Sequence, residues 1–147
     1  MSDSTIEGSA PLPPTPSGYL TPVAALNMPP GSPVIARASD GKAALAKADS
    51  DTTAAVIGLL ARPATANQNT LVYYAGVLTL TEAQWNAIET GATTGLTPNA
   101  TYYLSDATAG KLTRTPVSTG GHRVASIGVA LSTTQLLITA ISGVDHV

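Results

Sequence analysis

Prolines set the strongest limit on what the N-terminal part of this chain can form. Most of the chain's 11 prolines fall within residues 1–33, in the run APLPPTPSGYLTPVAALNMPPGSP. Because proline fixes φ and lacks a backbone donor, this stretch can form neither a long helix nor a central strand. We therefore predict an extended, proline-rich N-terminal arm over residues 1–33, and a separate body over residues 34–147.

An extended arm becomes ordered by docking, because free chain ends are otherwise poorly ordered. Its large apolar side chains are the expected anchors. We predict that these side chains bind a neighbouring subunit: Tyr19, Leu20, Val23, Leu26 and Met28. The alternative is an arm that lies on its own domain.

From residue 33 onward, short apolar runs alternate with turn residues, which predicts β-structure. We expect a hairpin around residues 39–41, strands over residues 55–61 and 70–80, a hairpin around residues 107–110, and a last strand pair around residues 132–134. Gly76 lies inside the second of these strands and indicates a bulge or a close backbone approach. The predicted fold is mainly β, a small β-barrel or sandwich with one short helix.

The predicted helix lies in the segment TEAQWNAIETG. Thr81 and Gln84 have the spacing of a capping box, and Trp85 and Ile88 would share one helix face. We predict a helix over residues 82–89, ended by Gly91, that places Trp85 against one end of the sheet core.

Charged residues make up 11% of the chain, against about 25% in an average soluble protein. Depletion of charge is typical of surfaces that are buried between subunits. We therefore expect much of the surface of this protein to be buried against other subunits. The alternative is a small protein whose surface is coated with Ser and Thr.

Two tyrosine pairs, at residues 73–74 and 102–103, lie within predicted strands. Successive side chains of a strand point to opposite faces, so one member of each pair fills the core. We predict that Tyr74 and Tyr103 lie at subunit contacts, where tyrosine is enriched. The alternative is that the outer tyrosines are simply half-exposed.

A weak internal similarity relates AVIGLLA at residues 55–61 to ASIGVAL at residues 125–131. Each copy is followed by a polar turn and an apolar strand. Two equivalent strand pairs would explain this similarity, and so would chance likeness between strands rich in Ala, Gly and Val.

Residues that carry chemistry are sparse and scattered. His122 and His146 have no partner at metal-ligand spacing, and the chain has no cysteine. Asp49 and Asp51 could bind a cation, although such Asp and Ser clusters are typical of turns. We expect no enzymatic activity, no cofactor and no metal site.

The net charge of −2 and the scattered basic residues argue against binding to nucleic acid. No apolar run approaches the ~18 residues that a membrane helix needs, so we expect no membrane partner. The N-terminal residues lack the pattern of a signal peptide, which predicts synthesis in a cytoplasm.

The segments GLTPNATYYLSDATAGKLTRTP and GHRVASIGVALSTTQLLI resemble a pattern that recurs in virion structural proteins of tailed bacteriophages. That pattern reads G-L-T-P-G-A-T-Y-Y-L, a short loop, G-x-L-T, and V-G-x-A-x-S before a final apolar strand. Asn99 stands where the pattern has Gly, a mild departure because Asn also tolerates turn geometry. The upstream segment VYYAGVLTLTEAQWNAI is also similar, so the resemblance covers residues 55–141.

The resemblance implies a structural role in a phage particle, assembled in the cytoplasm of a bacterial host. It also implies that the protein associates with copies of itself, as a trimer or a dimer. Its pattern occurs in head decoration proteins, in tail and fibre proteins and in uncharacterised prophage products. Chain size and the predicted arm favour a capsid decoration protein on the capsid surface, whose partner is the major capsid protein. The alternatives are a tail, baseplate or fibre component, or a module that binds host glycans.

Overall fold

A computed structural model describes residues 18–139 and 145–146 of the chain. Its main feature is one curled sheet that forms a half-barrel. The described strands and the helix are β1 Gly18–Leu20, β2 Pro33–Ala36, β3 Ala43–Leu45, β4 Val56–Leu60, β5 Val72–Thr79, α1 Glu82–Asn86, β6 Thr101–Leu104, β7 Leu112–Thr113, β8 Arg123–Val124, β9 Ser126–Ala130, β10 Gln135–Ile138 and β11 Asp145–His146. The prediction of a mainly β fold with one short helix is confirmed.

The strand order in the large sheet is β3-β2-β4-β5-β10-β9-β6-β7, and β1 also pairs with β5. Strands β8 and β11 form a separate antiparallel pair. Backbone bonds join the two ends of the curl, since Ala48 donates to the Ser105 carbonyl at 2.9 Å and Gly110 donates to the Ala46 carbonyl at 2.8 Å. The predicted hairpins and strand pairs are all present in this sheet.

The large sheet consists of two copies of one five-stranded arrangement. We call residues 18–75 the N-terminal unit, with order β3-β2-β4-β5-β1, and residues 76–138 the C-terminal unit, with order β7-β6-β9-β10-β5. Strand β5 serves both units and changes from one to the other at Gly76, whose φ is 96°. Only glycine adopts such a positive φ without strain, which explains the residue that interrupts this strand.

The two units also share irregularities of the backbone, because each has a register shift beside a glycine. The β2–β4 register shifts next to Gly58, and the β6–β9 register shifts next to Gly128. A Cβ on Gly58 would lie 2.5 Å from the carbonyl oxygen of Tyr73, and one on Gly128 would lie closer still to that of Leu137. The strands at residues 55–61 and 125–131 therefore occupy equivalent positions in the two units, which is one of the two explanations that the sequence left open.

The turn that enters each hairpin also repeats. Gly31 has φ 86° and its N–H donates to the Leu60 carbonyl at 2.7 Å. Asn99 has φ 67° and its N–H donates to the Ala130 carbonyl at 2.8 Å. Asn99 therefore performs the turn function that Gly31 performs in the other unit, and it adopts the turn geometry that the sequence analysis expected Asn to tolerate.

Each unit has two faces, because side chains alternate along its strands. The front faces carry Val34, Leu60 and Val72 in the N-terminal unit, and Tyr102, Ala130 and Leu136 in the C-terminal unit. The back faces carry Ile35, Leu59 and Tyr73 in the N-terminal unit, and Tyr103, Val129 and Leu137 in the C-terminal unit.

The larger core lies between the back face of the N-terminal unit and the front face of the C-terminal unit. Ile35 and Leu59 from the first face join Tyr102, Ala130 and Leu136 from the second in one buried cluster. A smaller core covers the front face of the N-terminal unit and contains Ala24, Met28, Val34, Ala43, Leu60, Ala64 and Val72. The two units therefore pack front to back, each using a different face toward the other.

Helix α1 seals one end of the larger core, as predicted. Thr81 and Gln84 form the capping box in both directions, and the Trp85 indole N–H donates to the Thr134 carbonyl at 2.9 Å. The helix ends three residues earlier than predicted because Ile88 and Thr90 hydrogen bond to the backbone of β7 instead.

The described part of the predicted arm is not separate from the body. Residues 1–17 lie outside the described residues, but residues 18–33 belong to the N-terminal unit. Proline lacks a donor yet keeps its carbonyl, and the Pro22 carbonyl accepts bonds from both the N–H and the Oγ1 of Thr70. The described part of the arm therefore lies on its own domain, which is the alternative that the sequence left open.

Candidate interaction surfaces

The five predicted anchors of the arm have different surroundings. The side chains of Tyr19, Leu20 and Leu26 are exposed and available to a partner. Val23 is half-buried beside Asn69, and Met28 is 3% exposed within the smaller core. The Met28 side chain is thus used by the chain's own fold, because its segment folds back along the loop after β4.

The two tyrosine pairs point to opposite faces, as predicted. Tyr102 is fully buried and Tyr103 is half-buried on the back face of the C-terminal unit. Tyr73 is half-buried against the larger core, whereas Tyr74 is exposed, with its ring over Gly18.

None of the nine strands in the large sheet contains Asp, Glu, Lys or Arg. The described charges lie outside these nine strands, where several pair with each other, as Arg37 does with Asp40 and Arg123 with Asp51. Both outward faces of the sheet are therefore free of charge, which is typical of the centre of an interface.

The first of these two surfaces is the back face of the C-terminal unit. Val77 and Leu137 lie directly opposite each other on β5 and β10, and both are exposed. Tyr103 and Val129 extend the same face and are half-buried. Sequence reasoning found Tyr103 but missed Val77 and Leu137. Their alternation with the buried Leu78 and Leu136 was the available signal.

The second surface is the rim of the front face of the N-terminal unit. Leu20 lies opposite Val72, and Tyr74 lies two residues further along β5 on the same face. Ile57 packs at the edge of the smaller core and is half-buried. The exposed side chains of Leu20 and Tyr74 thus lie at the edge of the smaller core, whose own members are buried.

The buried titratable groups form a network beside Tyr102. Its phenol O–H donates to Glu89 Oε1 at 2.8 Å and accepts the N–H of Thr97 at 2.8 Å. Arg114 Nε lies 3.2 Å from Glu89 Oε2, so the buried carboxylate is paired with a charge. Burial raises the pKa of Tyr102 above its ordinary value; the Thr97 amide opposes this rise and Glu89 adds to it.

Three of the remaining candidates from the sequence have structural partners. His122 directly precedes β8, and its Nδ1 lies 2.8 Å from Asp106 Oδ2. Asp49 accepts from the Thr53 hydroxyl at 2.7 Å, and this bond lowers the pKa of Asp49. Asp51 pairs with Arg123 at 2.6 Å. The side chain of His146 lies outside the described part of the chain.

Within residues 18–139 and 145–146, no three His, Cys, Asp or Glu side chains are grouped as metal ligands. One surface depression of about 360 Å³ lies between the arm and the β4–β5 connection, and its lining includes Thr21, Arg62 and Asn69. No helix in the described residues has the length and apolar character needed to cross a membrane.

Comparison with known proteins finds no matching protein family, no matching curated protein and no matching solved structure.

Proposed function

We propose that this chain is a structural protein of a tailed-phage virion that binds the outside of the capsid and stabilises contacts between major capsid subunits. The resemblance of residues 95–116 to virion proteins supports this role. The observation that carries the proposal is the pair of uncharged outward sheet faces, with exposed Val77, Leu137, Leu20 and Tyr74. Such faces suit burial against other subunits.

Exposed anchors on the arm side supply the contact to the capsid. Tyr19 and Leu26 are exposed, and their segment is held to the body by β1 and by the bridge from Val23 to Asn69. A preordered segment loses little conformational entropy on binding, so a modest contact suffices. Many copies on one shell then multiply the effect of each contact, because docking of one part raises the effective concentration of the next.

The test uses the full chain and heads of the phage that encodes it. We expect the chain to sediment with expanded heads and to raise their melting temperature. Tyr19→Ala with Leu26→Ala should weaken this binding at least tenfold, while Leu131→Ala, an exposed apolar residue after β9, leaves it unchanged. Normal heads without the protein, combined with missing or defective tails, would overturn the capsid role in favour of a tail component.

A further inference from the structure

The two units make one large contact inside the chain, and each contributes a different face to it. The back face of the N-terminal unit, through Ile35 and Leu59, packs with the front face of the C-terminal unit. One front face and one back face therefore remain on the outside. These are the front face of the N-terminal unit and the back face of the C-terminal unit.

Equivalent residues in the two front faces differ sharply in exposure. Leu20 and Leu78 occupy matching positions, opposite Val72 and Leu136, yet Leu20 is 41% exposed and Leu78 is 2% exposed. Tyr74 and Ile138 also match, since each lies two residues after those same partners, and their exposures are 43% and 3%.

The source of this difference is the cover that each unit receives. The C-terminal unit is covered by α1 and by the back face of the other unit. Among the described residues, the N-terminal unit is covered only by residues 22–28 and the loop after β4, with Ala24, Met28 and Ala64 in contact. A back face therefore packs against the front face of the C-terminal unit, whereas the described residues place no back face against the front rim of the N-terminal unit.

The outward back face of the C-terminal unit carries apolar side chains that are more exposed than their equivalents in the N-terminal unit. Tyr73 and Leu137 match in the two units, but Tyr73 packs on the larger core whereas Leu137 is exposed. Leu59 is fully buried, while its equivalent Val129 is only half-buried. The face that would supply the missing cover is therefore present and free of charge on the same chain.

We propose that the back face of the C-terminal unit of one chain covers the front rim of the N-terminal unit of a second copy. Val77 and Leu137 of one chain would then lie against Leu20 and Tyr74 of the next, which repeats the contact between units inside each chain. Because the two faces differ, this interface is head-to-tail, and such contacts build rings when the rotation closes. We infer a closed ring of three or more chains.

This inference goes beyond the proposed capsid role by specifying how copies of the chain associate, and it is tested without capsids. The full chain is measured by size-exclusion chromatography with light scattering. We expect a mass of at least three times the 14.8 kDa chain. A wild-type chain that stays monomeric at micromolar concentrations would overturn the inference.

Two variants test the pairing of the faces. Leu137→Asp places a charge on the back face, and Tyr74→Asp places one on the front rim. Both side chains are exposed, so circular dichroism and melting should show an intact fold. Each variant alone should be monomeric, and Leu131→Asp, in the turn after β9, should keep the wild-type mass.

The decisive measurement is a mixture of the two variants. A head-to-tail interface leaves one intact front rim and one intact back face in the mixture, so we expect a heterodimer and nothing larger. Full-size rings in the mixture, or no association at all, would contradict the pairing. A monomeric chain that still binds phage heads would refute this inference and leave the capsid proposal standing; rings that do not bind heads would do the reverse.

Discussion

Replacement of Tyr102 by Phe tests the buried network that holds β6 to the segment after α1. The substitution removes one hydroxyl and leaves the ring, so it creates no cavity of note. It leaves Glu89 Oε1 without its 2.8 Å donor and the Thr97 N–H without its 2.8 Å acceptor. Glu89 is 4% exposed, so water cannot readily replace the lost bond.

The expected loss follows from these two bonds. A hydrogen bond to a charged group contributes about 1.5–3 kcal/mol, and a neutral one contributes about 1 kcal/mol. We therefore expect Tyr102→Phe to lower the free energy of unfolding by about 2–4 kcal/mol. Tyr103→Phe is the matched control, because Tyr103 is half-buried on the opposite face and should lose less than about 0.5 kcal/mol.

The assay is urea unfolding followed by the fluorescence of Trp85, the single tryptophan and a fully buried residue. Both variants keep this probe. Measurements at low protein concentration separate the unfolding of the chain from its association.

The pH dependence supplies a second readout. The folded-state pKa of Tyr102 is raised, so its contribution is fully present below the unfolded pKa of about 10 and is lost as pH rises through the folded pKa. The difference in stability between the wild type and Tyr102→Phe should therefore shrink above about pH 10. A loss no larger than that of Tyr103→Phe, or a difference that stays constant with pH, would refute the proposed network.

Two further substitutions test the packing of the C-terminal unit. Gly128→Ala forces a Cβ against the backbone of β10 and should cost about 1–3 kcal/mol in urea unfolding, whereas Gly120→Ala has open space and should be neutral; equal effects would contradict the close approach. Trp85→Phe removes the bond to the Thr134 carbonyl and part of a buried ring, so thermal unfolding followed by circular dichroism should show a loss of about 1–3 kcal/mol. An unchanged melting temperature would show that α1 does not seal the core.

The candidate surfaces could be predicted only in part. Alternation within a strand is a local property, so the sequence identified Tyr74 and Tyr103 as the outer members of their pairs. Whether an outer side chain meets solvent depends on what lies over it, and Met28 lies in the smaller core although its sequence context indicates an exposed anchor. Val77 and Leu137 form a surface because β5 and β10 pair, which local sequence does not reveal.

The sequence by itself determined the elements of this protein. Turn residues such as Gly31 and Asn99, the capping box at Thr81 and the period-two apolar runs are short-range signals, and each acts on its own neighbours along the chain. Prolines likewise determined that the described residues 18–33 form no helix, because the missing donor is a property of the residue itself.

Only the tertiary structure decided where those elements go. The Pro22 carbonyl could have bonded to a neighbouring subunit, but it accepts from Thr70 of the same chain. The two units have the same strand order, yet one uses its back face and the other its front face for their shared core. That choice depends on long-range burial of apolar area, which is set by how the units stack and not by the pattern of either one alone.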